Sequence, residues 1–323
     1  MNDKLPMTLI AQIDDVAVFQ TAAFFADDIV ATDANLNVIP SANQPSYGEL
    51  NLGLHVNDNA AVVLGNRMRL LAAINEQVVN VSPDNKQCSG IKHLHWVNQI
   101  HGKQIHDIDA TALSMQPLAA DAMVSQQDDV GLAIMTADCV PIVLYQPATG
   151  KIAAIHAGWQ GLACGVIQAT AERFGSGGKV MAWIGVCISQ NNYEVGCDVR
   201  DKLRKGCLEN QLLTTADMAK FNQRYVINSA DDININSNAR YLHKTVAKPS
   251  NCATVGADKV KIDLSRLAAD QLVSAGILVE SQPSNACSYS DSRYYSYRRQ
   301  THLQQPATGR MALVIVRSIA SPK

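Results

Sequence analysis

No stretch of this chain is long and apolar enough to cross a membrane; its apolar runs are short and punctuated by polar residues and turns. Aromatic residues are scarce at 5%, which leaves little material for base-stacking platforms. Charge of either sign is not in excess: 27 Lys and Arg face 29 Asp and Glu, a formal net charge of -2. That balance gives no field to attract nucleic acid or a membrane surface, and neither is expected as a partner. The 8 cysteines are too sparse in 323 residues for a disulfide scaffold, and no pair has C-x-x-C spacing. The start, MNDKLPMTLI, has no basic segment followed by an apolar stretch and a small-residue cleavage site. These absences predict a cytoplasmic protein with reduced thiols; the sequence leaves monomer and homodimer open. An apolar content of 47% supports a substantial core.

What is present is organised around Gly131 to Phe174. The apolar run Gly131 to Met135 leads into Thr136-Ala137-Asp138-Cys139, and Val140 to Tyr145 follows. After the turn at Pro147-Ala148-Thr149-Gly150, Ile152 to Ile155 delivers His156. Continuous apolar runs bounded by turn residues read as buried strands. Ala157-Gly158-Trp159-Gln160-Gly161 then breaks the strand, and a helical pattern runs to about Phe174. One thiol and one imidazole thus sit near strand ends, on rigid scaffolding.

Elsewhere the pattern predicts a strand over 16–25 and a long loop over 26–47. Asn57 or Asp58 is placed to cap a helix carrying Arg67 and Arg69. A strand is expected over 91–100, with His93 and His95 on one face and His101 at its end before Gly102. Further strands are expected at 121–124, 180–186, 277–280 and 311–316. A helix from Asp198 and another capped by Asp263 and ended by Gly276 complete the reading. The segment 228–256, rich in Asn, Ser and Asp, reads as a loop or insertion.

His101, Cys139 and His156 together form a ligand set suited to Zn²⁺. Three protein ligands leave one tetrahedral position open, as in catalytic zinc sites, and zinc there would acidify water toward neutral pH. The same Cys139 and His156 without metal would make a nucleophile and its base. Spacing does not choose between these. A His-x-His pair also suggests copper, although the clustered His-Cys-His segment of multicopper oxidases is missing.

The blocks NLGLHV (51–56), QIHG (99–102), TADCVPIVLY (136–145), HAGWQG (156–161), YEVG (193–196), CSYSD (287–291), YSYRR (295–299) and TGRMA (308–312) occur in that order. In this the chain resembles the YfiH family, also called the laccase-domain or polyphenol-oxidase family. The resemblance implies an α/β (α+β) fold: one domain over 1–323, with mixed β-sheets packed together and helices outside, similar to a toxin deamidase. It implies a metal site of His101, Cys139 and His156, occupied by zinc or copper. It implies phosphorolysis of adenosine, inosine, guanosine and methylthioadenosine, deamination of adenosine, and, in one branch, peptidoglycan precursor editing.

Two regions are atypical of the family, the N-terminal extension over about 1–47 and the insertion over about 228–256. The loop after Cys187 carries Asn191 and Asn192 where the family usually has cysteines, and Gln160 stands where it usually has arginine. Deamination needs an acid–base group, and Asp138 is the carboxylate nearest Cys139 in sequence. A hydrogen bond at the strand end is its alternative role. Cys139, Asp138 and His156 are the catalytic candidates. Asn51, Arg67, Gln160, Arg298 and Arg310 are the candidates for holding nucleoside and phosphate, beside the helix N-terminus after Gly158.

Overall fold

The computed structural model describes residues 5–25, 45–80, 90–111, 117–228, 259–280 and 286–318. Most of the loop read over 26–47 and of the insertion over 228–256, with Cys88 and Cys252, lies outside the described residues.

The first strands are β1 (Met7–Ile13), β2 (Val16–Thr21), β3 (His93–His95), β4 (Ile105–Asp107), β5 (Ala122–Ser125), β6 (Val130–Thr136) and β7 (Val140–Gln146). They are followed by β8 (Lys151–Ala157), β9 (Met181–Ile184), β10 (Glu194–Gly196), β11 (Val226–Asn228), β12 (Lys259–Ile262), β13 (Leu278–Val279) and β14 (Met311–Arg317). The helices are α1 (Ala60–Asn80), α2 (Trp159–Cys164), α3 (Val166–Ala171), α4 (Cys197–Glu209), α5 (Thr215–Ala219), α6 (Phe221–Tyr225), α7 (Leu264–Ser274) and α8 (Tyr297–His302). Two mixed sheets dominate, with strand orders β1-β2-β14-β6-β3 and β13-β9-β7-β8-β5-β4; a small third sheet is β10-β12-β11.

The continuous apolar runs have a direct cause: both faces of the central strands are covered. In β7, Val143 and Tyr145 pack between the two large sheets, with Leu132 and Ile134 of β6 and Leu313 and Ile315 of β14. The alternate residues Ile142 and Leu144 face α2, α3, α4 and α7 through Leu162, Val166, Leu203 and Leu267. On the outer face of the five-stranded sheet, Phe19, Ala133 and Val314 pack against Leu70 and Ile74 of α1. The result is a four-layer α/β/β/α stack. Each fully buried Leu, Ile, Val or Phe in it contributes about 1.5–3 kcal/mol.

Several elements differ from the sequence reading. The helix expected to run to Phe174 is broken at Gly165, whose φ of 85° and ψ of 38° close α2 and start α3. This is a left-handed conformation that glycine adopts without steric cost. The strand expected over 91–100 is limited to His93–His95, an edge strand parallel to β6; Asn98 then turns to pair with Ala119. Asn59, not Asn57 or Asp58, caps α1: its Oδ1 accepts the Ala61 N–H at 2.9 Å. Asn57 is left-handed (φ 64°), and Asp58 instead binds Asn51 and the Asn59 N–H. Residues 7–21 of the presumed extension form a hairpin built into the five-stranded sheet.

Candidate metal centre

The two large sheets meet at the turn between β6 and β7, and Cys139 sits there, one residue before β7. His156 lies on β8 opposite Pro141 of β7, so register alone brings it beside Cys139. His101 arrives from a loop in a left-handed conformation (φ 61°), where a non-glycine residue must be held by its surroundings. The holding group is Asp121, directly before β5. Its fully buried carboxylate accepts the N–H groups of Ile100 (3.3 Å), His101 (2.8 Å) and Gly102 (2.6 Å). It also bonds His156 Nδ1 at 2.8 Å, and the His156 N–H donates to the Asp121 carbonyl across the β5–β8 pair.

These bonds decide the chemistry. Burial favours a neutral Asp121, but the hydrogen bonds from His156, Gly102 and His101 outweigh it and hold the carboxyl below its ordinary 3.8. An anionic Asp121 fixes His156 as the Nδ1–H form and turns Nε2 toward the thiol, the arrangement that outer carboxylates give metal-bound histidines. Burial pushes the Cys139 thiol up, but the His156 charge and hydrogen bonds from His101 and His156 bring it down to about 6. Burial also lowers His156, and the Cys139 thiolate and Asp121 together raise it to about 9. The opposed shifts favour the thiolate and the imidazolium together, and a metal ion would displace the ring proton.

The ligand atoms of His101, Cys139 and His156 lie within 4.8 Å of one another, with Cys139 Sγ 4.0 Å from His101 Nε2. Tetrahedral zinc with one sulfur at roughly 2.3 Å and two nitrogens at roughly 2.0–2.1 Å needs ligand atoms about 3.3–3.6 Å apart. Small side-chain rotations close the difference, so the donor set fits. His156 is buried and His101 exposed, so the centre opens toward solvent on the His101 side. Gly158 forms its wall: a Cβ there would stand 3.1 Å from both Cys139 Sγ and His101 Cδ2. Gly158→Ala is therefore expected to weaken metal binding about tenfold or more, since either ligand must move off its position. Equilibrium dialysis against zinc, with the melting transition recorded in parallel, checks this.

The remaining candidates divide. Asp138, in a left-handed turn (φ 113°), accepts from Ser288 Oγ at 2.7 Å and the Arg298 N–H at 2.7 Å, and burial raises its pKa. It ties the turn to the CSYSD and YSYRR segments. Asn51 Oδ1 accepts from the Gly53 and Arg310 N–H groups, while its amide donates to Asp58; it fixes where Arg310 starts. Arg67 gives Nε and a terminal nitrogen to the Leu52 carbonyl and lies 4.1 Å over the Trp96 ring. Arg298 donates to the Glu194 carbonyl and lies 5.4 Å over Tyr193. Arg310 donates to the Thr308 and Gly309 carbonyls; burial lowers its pKa and the nearby Cys139 charge supports it. Gln160 is exposed on α2, which is only six residues long.

Two residues of the centre went unread in the sequence. Asp121 reads in the sequence only as the first residue of the strand expected over 121–124, whereas β5 starts at Ala122. His55, within NLGLHV, is exposed beside the centre, and desolvation followed by the charges of Arg310, Arg67, His101 and His156 lowers its pKa.

The geometry defines a class first: an α/β protein with one open Cys-His-His centre at a sheet junction. Residues 40–318 match the family described as multi-copper polyphenol oxidoreductase laccase, and the chain belongs to this family, the one to which YfiH proteins belong. It is 30% identical over 282 residues to the Shigella flexneri protein named purine nucleoside phosphorylase YfiH, covering 86% of this chain and 90% of that one. The Escherichia coli protein of the same name gives the same identity and coverage. Among solved structures, a Neisseria meningitidis protein of the DUF152 family superposes with a TM-score of 0.64 at 26% identity, covering 97% of this chain and 99% of that one.

Proposed function

We propose that this chain is a zinc enzyme of purine nucleosides, catalysing phosphorolysis of adenosine, inosine, guanosine and methylthioadenosine and deamination of adenosine. The observation that carries the reading is the convergence of His101, Cys139 and His156 on one point, with His156 oriented by buried Asp121. Relatives named purine nucleoside phosphorylase, aligned over 86% of the chain, supply the substrate class. Residues 1–323 then act as one catalytic domain in the cytoplasm.

Zinc bound by the three side chains would supply a Lewis acid and acidify water. The chain's own groups do the rest. Asp121 keeps His156 in the tautomer that presents Nε2. Arg310, whose start is set by Asn51, supplies positive charge near Cys139. His55, whose pKa the charges of both histidines help to lower, is the proposed proton acceptor of the site. Asp138, with an acceptor bond on each oxygen, serves the site by holding the turn that carries Cys139.

Two other readings remain distinct in outcome. Copper suits the same ligands, but among the described residues this is the one group of three or more His, Cys, Asp or Glu side chains that could hold a metal, and multicopper oxidation needs several. A cysteine hydrolase or peptidoglycan-editing enzyme would use the Cys139 thiolate with His156 and no metal. Adenosine, inosine, guanosine and methylthioadenosine, each incubated with zinc-loaded protein with and without phosphate and separated by chromatography, distinguish them. The proposal expects free base only when phosphate is present, and inosine from adenosine in either case. No turnover of any nucleoside overturns it.

Gln160 tests the phosphate subsite. A charge-assisted hydrogen bond contributes about 1.5–3 kcal/mol against roughly 0.5–1.5 for a neutral one, a difference of several-fold to tenfold in affinity. Gln160→Arg is expected to lower the phosphate KM by that factor and leave deamination unchanged. An unaltered phosphate dependence in the folded, metal-loaded variant removes position 160 from the anion site.

A further inference from the structure

Behind the turn that carries Asp138 and Cys139 lies a pair of thiols that the proposed reaction does not use. Cys187, just past β9, and Cys287, ahead of α8, face each other in an isolated parallel bridge, and the Ser288 N–H donates to the Cys187 carbonyl at 3.0 Å. Paired β residues stand roughly 4.8 Å apart and carry their side chains on the same face. That separation lies within the Cα range of about 4.4–6.8 Å that a disulfide spans. Both thiols are free.

Their surroundings differ. Cys287 Sγ accepts the Ser189 N–H at 3.2 Å and the Asn192 amide at 3.3 Å. The same Asn192 nitrogen is braced by Ser189 Oγ at 3.1 Å and Ser290 Oγ at 2.7 Å. Donors converging on one sulfur suit an anion. Burial opposes ionisation of Cys287, but hydrogen bonds from Ser189, Ser290 and Asn192 outweigh it and hold the thiol at about 7. Cys187 packs in the helix-side core, where burial pushes its thiol up. Both side chains are buried, Cys187 8% and Cys287 7% exposed, but each borders a surface groove. A groove of about 610 Å³ lined by Ser189, Asn192 and Ser290 opens onto Cys287. A neighbouring one of about 510 Å³, lined by Gln190 and Asp263, opens onto Cys187.

We propose that Cys287 is a site of reversible oxidation by hydroperoxides, with Cys187 as its resolving partner. The Cys287 thiolate attacks one peroxide oxygen; the S–O bond forms, the O–O bond breaks, and the alkoxide or hydroxide leaves and takes a proton from water. Sulfur loses two electrons and the peroxide gains them. Cys187 then gives up its proton and attacks the Cys287 sulfur; the S–S bond forms and the oxygen departs as water. Thiol reductants reverse the product. The pair is well placed to be felt at the metal centre: Ile188 N–H donates to the Asp138 carbonyl at 2.9 Å and Ser288 Oγ to its carboxylate at 2.7 Å.

The test treats the full-length protein with hydrogen peroxide, blocks remaining thiols and maps peptides by mass spectrometry. The expected product joins the Cys187 and Cys287 peptides and disappears with dithiothreitol. In Cys187→Ser, a dimedone label should accumulate on Cys287. Because Cys187 is a core residue, Asn192→Ala provides an independent variant, expected to slow cross-linking several-fold by removing one donor. The proposal is overturned if the wild type forms no 187–287 link at a dose that oxidises a free cysteine peptide. Absence of label on Cys287 in folded Cys187→Ser, or an unchanged rate in Asn192→Ala, overturns it equally.

Discussion

Cys139→Ala is expected to lose zinc and nucleoside turnover together while keeping its fold. Cys139 is the one thiolate in the ligand set, and its charge balances His156 and stands near Arg310. Removing it leaves two imidazoles, which hold zinc far more weakly. We expect a fall in affinity of roughly a thousand-fold or more, about 4 kcal/mol. The side chain is only partly buried and alanine leaves little void, so the melting transition should move by a small amount. A competition titration with a chromophoric chelator, beside the nucleoside assay and a circular-dichroism melt, reads all three. Turnover retained in this variant would place the chemistry elsewhere.

Asp121→Asn carries the second large effect, through a different route. Three backbone N–H groups and the His156 ring all point at this carboxylate. An asparagine amide has one acceptor and one donor end, so its NH₂ must face at least one of those donors. The His101 loop then loses its anchor and His156 its fixed tautomer. Outer-sphere substitutions of this kind cost about 10–100-fold in metal affinity or activity. Leaving buried donors unpaired costs a further 1–3 kcal/mol each in stability. Acid sensitivity has a definite sign. The folded carboxyl is held below 3.8, so the stability it lends is present above the unfolded value and is lost as pH falls through the lower folded one. Asp121→Asn should be less stable than the wild type at neutral pH, with the gap narrowing in strong acid. Denaturant melts at both pH values measure it; an equal gap at both would show that ionisation of Asp121 adds nothing.

The apolar runs at 131–135, 140–145 and 152–155 were legible because β6, β7 and β8 are covered on both faces, which leaves an unbroken hydrophobic signature. His101, Cys139 and His156 were recognisable as ligand-type residues, and the ordered blocks joined them; the strand end expected at His101 is a loop, because β3 stops at His95. Asp121 was not legible, because its partners come from a loop about twenty positions earlier and a strand thirty-five positions later. No local pattern encodes such a contact. Gly165 breaks α2 from α3 through a backbone angle that the apolar periodicity does not register. The candidate cations were chosen by type, and type does not say which carbonyls claim a guanidinium: Leu52 takes Arg67, and Glu194 takes Arg298.

The most direct measurement is zinc K-edge absorption on protein carrying one equivalent of zinc. The ligand set predicts one sulfur near 2.3 Å and two imidazole nitrogens at about 2.0–2.1 Å, with a light atom in the open position. In Cys139→Ala, loaded with excess zinc because its affinity is low, the sulfur should be missing. A first shell of nitrogen and oxygen alone in the wild type would contradict the account.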